Sequence, residues 1–527
     1  MAGYLALVLH AHLPFVRHPE YERFLEENWL YEAITETYIP LLQLLEGWSR
    51  DQVRAPLALT LTPTLCSMLQ DRLLQSRYER HLEELIELAA KEIHRTRWEK
   101  PFNDLAQFYH GRFLAARTLW QAEGRDLISA FRRCQDQGQL EIITSAATHA
   151  LLPLVADHPP SLRAQILVAR DHYRSCFGRE PRGIWLPECA YAPTLEDVLQ
   201  EANLRWFVTE THGILNATPR PRYSTFAPIL TPNGLAAFGR DADSARQVWS
   251  RHAGYPGDPR YRDFYRDIGF DLDLDYVKPY LPAPGSRGFT GLKYYRITGK
   301  SPEKEPYDRS AAMAAAASHA QHFREARTEQ FRRLAEVLDR PPILTAPYDA
   351  ELFGHWWYEG PEFLDSFVRQ AACNQQCFEL ITPGEYLERH PTQQVATPAA
   401  SSWGEGGYWG VWLNEKNEWI YPHLRMAQER MTELVERHSR PGPLEERMLR
   451  QAGRELLLAQ ASDWPFILRS GTSPGYARKR VNDHLLRFTR LYEQLTSKDC
   501  EEDWLKQIEW RDNLFPELDY HYWAERC

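Results

Sequence analysis

Seven short hydrophobic runs, spread along the whole sequence, constrain the fold of this chain more than any other feature. They cover residues 5–10, 57–61, 140–144, 183–186, 205–208, 343–346 and 378–381. Each run is continuously hydrophobic rather than alternating with polar residues, which is typical of parallel strands covered on both faces. Helical segments separate most of the runs. The sequence therefore predicts an α/β fold, and the order of its elements favours a barrel over a sandwich.

Two regions between and after these runs are predicted to be helical. Residues 62–139 are far more than a simple crossover needs, and their apolar positions follow the spacing of an amphipathic helix at Leu82, Leu85, Ile86 and Ala89. After about residue 421 one apolar face persists at Val481, Leu485, Phe488, Tyr492 and Leu495. We expect a barrel from residues 1–66 and 139–400, a helical insertion over 67–138, and an aromatic loop with a C-terminal all-helical domain over 401–527. Residues 218–306, rich in Pro, Gly and Tyr, are expected to form long loops over the active face.

Charge, hydropathy and cysteine usage exclude several classes of protein. The chain has 62 Lys and Arg against 72 Asp and Glu, a formal net charge of −10, so nucleic acid is not an expected partner. No apolar run approaches the roughly 18 residues that span a bilayer, and the hydrophobic residues 4–9 lack the basic leader of a signal peptide. Its eight cysteines are scattered without a disulfide framework. We expect no membrane partner and a cytoplasmic location.

Two carboxylates follow predicted strands directly and are candidates for catalysis. Glu188 lies in WLPECAY at the end of the fourth run, and Asp349 lies in YDAELFGHWWYEG after the sixth. The carboxyl ends of parallel strands meet at one face of a barrel, where active sites form. A pair of carboxylates there can cleave or transfer a glycosidic bond, one attacking the anomeric carbon and one protonating the leaving oxygen. The alternative is that each carboxylate caps a helix or pairs with a surface arginine.

Aromatic residues make up 12% of the chain, with 17 Trp and 26 Tyr, and several lie in short polar stretches. An aromatic ring can cover the C–H face of a pyranose while nearby polar groups bind its hydroxyls. Residues 401–412 combine three Trp, one Tyr and four Gly, a composition that suits a stacking wall. The alternatives are that this segment is a buried structural loop and that the other aromatics belong to a large core.

Three histidines lie at predicted strand ends. His10 and His12 end the first run and His149 follows the third. Such an HxH pair also begins many metal sites, and imidazole suits zinc. Neither another close histidine nor a carboxylate in obvious ligand register completes the set. Contacts with sugar hydroxyls are therefore favoured over structural hydrogen bonding, and metal binding is the least favoured of the three readings.

Five strings in this order resemble glycoside hydrolase family 57, most closely its 1,4-α-glucan branching enzymes: HAHLP, WLPECAY, APYDAELFGHWWYEG, SSWGEGGYWGVWLN and SDW. The resemblance covers nearly the whole chain. It implies a distorted (β/α)7 barrel with a helical insertion and a C-terminal helical domain. It also implies α-1,4-glucan chains as donor and acceptor, cleavage of α-1,4 bonds with formation of α-1,6 branches, and no cofactor.

The resemblance also implies roles for individual residues. Glu188 matches the family's nucleophile and Asp349 its general acid/base, and no metal is implied. The residues that fall in segments lining the glucan cleft are His10, His12, Trp29, His149, Trp185, Trp356, Trp403, Trp412 and Asp463. A lid loop is expected near residues 234–243, where Phe238 and Arg240 lie but no tyrosine, a departure that puts the balance of transfer and hydrolysis in question.

Other activities stay open on the sequence alone. The same fold would also suit an α-amylase or a 4-α-glucanotransferase. More remote readings are a metal-dependent polysaccharide deacetylase or amidohydrolase that uses the HxH pair, and a glucan-binding protein without catalysis.

Overall fold

The computed structural model describes residues 3–249, 254–283, 285, 287–373 and 377–525. Its strands are β1 (Gly3–Ala11), β2 (Leu57–Leu61), β3 (Leu140–Ile143), β4 (Gly183–Ile184), β5 (Trp206–Thr209), β6 (Ile229–Leu230), β7 (Ala236–Gly239), β8 (Ile343–Asp349), β9 (Phe378–Leu380) and β10 (Gln394–Val395). Seven of these strands coincide with the predicted runs. β6, β7 and β10 were not predicted.

Seven parallel strands form a ring. One sheet has the order β3-β2-β1-β8, with β9 pairing to the first residues of β1, and the other has the order β10-β6-β7-β5-β4. Two single parallel bridges join the sheets, Thr144 to Ile184 between β3 and β4, and Arg240 to Thr345 between β7 and β8. The ring therefore runs β1-β2-β3-β4-β5-β7-β8 and back to β1. This is a distorted seven-stranded barrel, as predicted, although β7 rather than β9 is its seventh strand.

Alternation along β1 separates two hydrophobic cores. Leu5, Leu7 and Leu9 pack outward under the surrounding helices. Ala6 and Val8 face the barrel interior, together with side chains from other strands. Because successive side chains of a strand point to opposite faces, the alternation carries the next residue, His10, inward at the carboxyl end of β1. That end of the barrel holds the polar residues.

Helices surround the strands. Those that precede β8 are α1 (Glu27–Ala33), α2 (Ile39–Arg50), α3 (Pro63–Gln70), α4 (Arg72–Arg95), α5 (Lys100–Ala122), α6 (Leu127–Asp136), α7 (Leu152–Val155), α8 (Pro159–Phe177), α9 (Glu196–Glu201), α10 (Thr211–Leu215), α11 (Ala242–Trp249), α12 (Ile268–Asp271), α13 (Leu274–Val277) and α14 (Arg309–Val337). A π-helical turn, Ile34–Tyr38, joins α1 to α2. The segment between β2 and β3 contains α3 to α6, and α4 packs against α5.

The chain after β8 is largely helical. It forms α15 (Gly360–Cys373), α16 (Pro383–Arg389), α17 (Ile420–Arg437), α18 (Pro443–Ala459), α19 (Asp463–Ser470), α20 (Pro474–Ser497) and α21 (Glu502–Arg511). The last five helices form the predicted C-terminal helical region, in which α20 packs on α17, α18 and α19. Across the described part of the chain, none of the helices has the length and hydrophobicity needed to cross a membrane.

The predicted lid loop at residues 234–243 is wrong for this structure. Strand β7 occupies Ala236–Gly239, and the side chain of Phe238 is only 1% exposed in the barrel interior. A Cβ atom on Gly239 would lie 2.8 Å from Ile214 and 2.9 Å from Thr225, so the small residue permits close packing there. The wider region 218–306, predicted as loops, also contains β6 and α11 to α13.

Candidate active site

Glu188 lies on a sharp turn just after β4. The backbone of Glu188 has φ 61° and that of Cys189 has φ 51°, both in the left-handed region. Side chains other than glycine occupy that region at a cost of about 1–3 kcal/mol each, and such strain is concentrated at functional sites. Buried Trp185 and Cys189 anchor the turn on either side. The turn presents the Glu188 carboxylate at the carboxyl end of the barrel.

Three side chains surround the Glu188 carboxyl group. The indole Nε1 of Trp403 donates a hydrogen bond to Oε2 at 2.6 Å. The hydroxyl of Ser462 lies 3.5 Å from Oε1, and Nδ1 of His149 lies 4.0 Å from the same oxygen. Burial raises the pKa of Glu188 to about 7, and the hydrogen bond from Trp403 opposes this rise. Near neutral pH this carboxyl group therefore exchanges between its neutral and nucleophilic forms.

Asp349 ends β8 beside His10, its partner in the β1–β8 ladder. Burial raises the pKa of Asp349 well above its ordinary value, and the negative charges of Glu351 and Glu188 raise it further. The guanidinium of Arg240 acts in the opposite direction. Burial and these charges thus favour the protonated form of Asp349, the form that a general acid needs.

The three predicted histidines come together. Nε2 of His10 lies 3.0 Å from Nε2 of His149, and the ring of His149 stacks on that of His12 with centroids 3.8 Å apart. His10 also stacks on Trp185 at 4.5 Å, with the rings nearly parallel. Burial, followed by the charges of the neighbouring histidines, lowers the pKa of His10 and of His149. These two imidazoles are therefore neutral near pH 7 and can each donate and accept one hydrogen bond.

The helical C-terminal region completes the site. The carboxylate of Asp463, the first residue of α19, lies 3.1 Å from Nε2 of His12. Ser462, next to it, lies 2.9 Å from Nδ1 of His149. Nδ1 of His12 lies 3.0 Å from the hydroxyl of Thr62 after β2. Residues from the two ends of the chain therefore hold each other in place.

Among the residues that the structure describes, two groups of side chains have the composition of a cation site. His12, His149 and Asp463 offer ligand atoms that all lie within 4.8 Å of one another. These atoms already take part in hydrogen bonds within the protein, so the set is satisfied without a cation. The second group is buried in the C-terminal region and consists of Glu455, His484 and Asp512. Its carboxylates already have cationic neighbours, because Arg487 Nη1 lies 2.6 Å from Asp512 and 3.8 Å from Glu455.

The predicted tryptophans have different surroundings. Trp403 contacts Glu188, but Trp412 is 1% exposed and packs against Leu151 and Ala190, so it cannot offer a face to a sugar and the predicted stacking role is wrong for this residue. Trp185 is also fully buried, beneath His10.

Two other predicted tryptophans, Trp29 and Trp356, are not among the side chains that surround the carboxyl group of Glu188. Trp29 is half-buried against Tyr476, with ring centroids 6.0 Å apart. Trp356 is 59% exposed and stacks on Phe264.

Several residues near the site were not predicted. Glu351 accepts hydrogen bonds from the backbone N–H of His12 at 3.1 Å and from the Tyr38 hydroxyl at 2.6 Å. A pocket of about 350 Å³ is lined by Glu210, Arg240, Ala242, Ala245, Arg246 and Trp249. Glu210 lies two residues after the fifth predicted run, as Glu188 does after the fourth, so the rule that located Glu188 could also have located Glu210.

Arg240 was predicted to lie in a lid loop, but it lines this pocket instead. It lies directly after β7, its Nη1 donates to Glu210 at 2.9 Å, and its guanidinium lies 5.6 Å from the ring centre of Trp403. Trp249 makes an edge contact with Trp403 at 6.1 Å. The pocket is thus next to the tryptophan that contacts Glu188.

Two family models together match most of the chain. The model of "Glycosyl hydrolase family 57" matches residues 6–400, and that of "1,4-alpha-glucan branching enzyme, C-terminal" matches residues 423–523. The structure of the α-amylase AmyC from Thermotoga maritima is 44% identical, with a TM-score of 0.94 and 100% of both chains covered. The GH57-type branching enzyme from Pyrococcus horikoshii is 33% identical, with a TM-score of 0.90, covering 100% of this chain and 98% of that chain. The 1,4-alpha-glucan branching enzyme TK1436 of Thermococcus kodakarensis is 34% identical over 98% of this chain and 78% of that protein.

Proposed function

The chain belongs to glycosyl hydrolase family 57, and from this we propose that it is a 1,4-α-glucan branching enzyme that uses Glu188 as nucleophile and Asp349 as general acid/base. The observation that carries the activity is the match of residues 423–523 to the family model described as "1,4-alpha-glucan branching enzyme, C-terminal". Its substrates are then α-1,4-glucan chains, as donor and as acceptor. The environments of the two carboxyl groups support their assigned roles.

The first half of the reaction breaks an α-1,4 bond of the donor. The ionised carboxylate of Glu188 attacks the anomeric carbon while Asp349 gives its proton to the departing O4, leaving a covalent glycosyl-enzyme. The raised pKa of Asp349 supports its acid role, because burial and the negative charges of Glu351 and Glu188 favour the protonated form of this group.

The second half transfers the glycosyl group. Asp349, now ionised, removes the proton from an acceptor O6 hydroxyl, and that oxygen displaces Glu188 from the anomeric carbon. Two displacements retain the α configuration and leave an α-1,6 branch. If water attacks instead, the product is a new reducing end. His10 and His149 are hydrogen-bonded to each other, and His149 also to Ser462, so their proposed role is to hold the residues around Glu188 in place.

An α-amylase of the same family is the second candidate. Two observations favour it: the 44% identity to AmyC, and the buried strand β7 at the position where a lid loop was expected. The two activities share the first displacement and differ in the acceptor that completes the second. Only the products can separate them.

The deciding experiment is incubation of the protein with amylose. Proton NMR measures new α-1,6 linkages, and a reducing-end assay measures hydrolysis in the same samples. A branching enzyme gives α-1,6 linkages in excess over new reducing ends, whereas reducing ends without α-1,6 linkages would establish the α-amylase. Glu188→Gln is the control for both, because an amide cannot form the intermediate and loss of a nucleophile costs several orders of magnitude in rate.

A further inference from the structure

A row of aromatic side chains, which includes the predicted cleft residue Trp356, lies on the surface away from the immediate neighbours of Glu188. It consists of Phe264, Tyr265, Phe270, Phe289 and Trp356, which we call the aromatic platform. Tyr265 is 66% exposed, Trp356 59% and Phe270 44%. Large apolar side chains that are exposed singly need no explanation, but a contiguous exposed group indicates a binding surface.

The rings of the platform contact one another in sequence. Trp356 stacks on Phe264 with centroids 5.4 Å apart and ring planes only 6° from parallel. Phe264 makes edge contact with Tyr265 at 5.1 Å and contacts Phe289 at 5.7 Å. Phe289 in turn contacts the edge of Phe270 at 5.4 Å. Phe264 covers one face of the Trp356 indole. The opposite face of the indole is therefore the one that is open to solvent.

Buried ionic groups hold the base of the platform. Nδ1 of His355, next to Trp356, lies 2.7 Å from the Glu36 carboxylate, which also lies 3.2 Å from Arg262. On the other side, the ammonium of buried Lys293 lies 4.3 Å from the ring centre of Phe264 and 4.0 Å from that of Phe289. A platform held in this way loses little conformational entropy when a ligand binds to it.

The platform continues from the proposed catalytic residues. The loop that begins after Asp349 reaches Trp356 within seven residues. The Trp356 backbone N–H donates to the carbonyl of Glu351 at 3.1 Å, and the carboxylate of Glu351 accepts from the backbone of His12. The loop that follows Asp349 therefore carries Trp356 of the platform, which a polymer bound at the catalytic end of the barrel can contact.

We propose that the aromatic platform binds a segment of an α-1,4-glucan chain beyond the units held at Glu188 and Asp349. This inference rests on the proposed function, which supplies the polymer. The exposed face of Trp356 suits the C–H face of a glucose ring, and Tyr265 adds a second aromatic side chain with a hydroxyl at its tip. The ligand class is a glucan chain that is long enough to occupy the catalytic end of the barrel and the platform together.

The test measures glucan binding without turnover. In the Glu188→Gln background, Trp356→Ala and Tyr265→Ala are compared with Trp98→Ala, a control that removes a tryptophan that is 85% exposed on another part of the surface. Affinity electrophoresis in gels containing amylose gives the dissociation constant, and maltotriose titration monitored by tryptophan fluorescence gives that for a short ligand. We expect Trp356→Ala to weaken amylose binding about tenfold and Tyr265→Ala at least threefold, with maltotriose binding changed less than twofold.

The outcomes separate this proposal from the proposed function. If Trp356→Ala and Tyr265→Ala, with thermal melting like that of Trp98→Ala, bind amylose as the control does, the platform is not a glucan site, whether or not the wild-type protein forms branches. If sedimentation shows that the control variant is a dimer and that the two platform variants are monomers, the surface is an interface between copies of this chain. That result would overturn the proposal. If the variants lose amylose binding while the wild-type protein forms no α-1,6 linkages, the platform stands and the branching activity fails.

Discussion

Burial raises the pKa of both proposed catalytic carboxyl groups, but their neighbours differ. Glu188 receives a hydrogen bond from the indole of Trp403, which stabilises its charged form. The negative charges of Glu351 and Glu188 instead destabilise the ionised form of Asp349, so they favour its protonated form. Two carboxyl groups whose surroundings separate their pKa values can serve as nucleophile and acid at the same pH.

Replacing Trp403 by Phe should move the acidic limb of the activity profile to higher pH. Glu188 is active when ionised, and removing the hydrogen bond that favours its ionised form raises its pKa further. A hydrogen bond to a charged group contributes about 1.5–3 kcal/mol, so the shift in the acidic limb of kcat/KM should be about one to two pH units. Trp409→Phe, in the same segment, is the matched control. An acidic limb that stays in place would remove Trp403 from this role.

Activity should survive prolonged treatment with EDTA. The atoms of His12, His149 and Asp463 that could bind a cation are satisfied by hydrogen bonds to one another and to neighbouring side chains. The measurement is the rate on amylose before and after dialysis against the chelator. Loss of activity that zinc restores would contradict this expectation and would favour the metal-dependent reading.

The loop from β8 to α15 connects Asp349 to Trp356 of the platform, and Gly354 shapes this loop. This residue has φ 114°, and a Cβ atom there would lie 1.8 Å from the backbone oxygen of Glu36. Gly354→Ala should therefore lower both thermal stability and activity, with strain on the order of 1–3 kcal/mol or more. Gly471→Ala is the control, because this glycine has φ 78° but no atom near its Cβ position. Equal losses of activity in the two variants would mean that the contact with Glu36 is unimportant.

The sequence predicted the elements whose signal is local and missed those defined by distant contacts. Continuous apolar runs identified the long strands β1 and β8, and strand-end carboxylates identified Glu188 and Asp349. Strand β7 has only the residues AAFG, whose small side chains suit close packing but carry little strand propensity.

Long-range contacts account for the errors in the predicted site. The resemblance placed Asp463 near the cleft, but its pairing with His12 spans 451 residues, so spacing could not reveal that the two groups meet. Trp412 has the composition of a stacking residue, and only the packing of Leu151 and Ala190 against it shows that it is structural. Side-chain exposure is decided by the assembled fold rather than by the neighbouring sequence.

The barrel and the C-terminal helices should unfold together. One continuous hydrophobic core contains Leu5 of β1, Leu88 of α4 and Leu456 of α18. The guanidinium of Arg480 also donates to the carbonyl of Phe15 at 3.1 Å, joining α20 to the segment after β1. In urea, loss of far-ultraviolet circular dichroism, change in tryptophan fluorescence and loss of activity should therefore coincide. Separate transitions would indicate that the two regions fold independently.

The contact between His12 and Asp463 also determines when the site can form during synthesis of the protein. The ribosome makes Asp463 451 residues after His12, and after the strands of the barrel. Until then His12 and His149 lack their partners from α19 and its preceding residue. We expect a nascent chain to stay inactive even when its barrel is complete, so that the glucan is processed only by finished molecules.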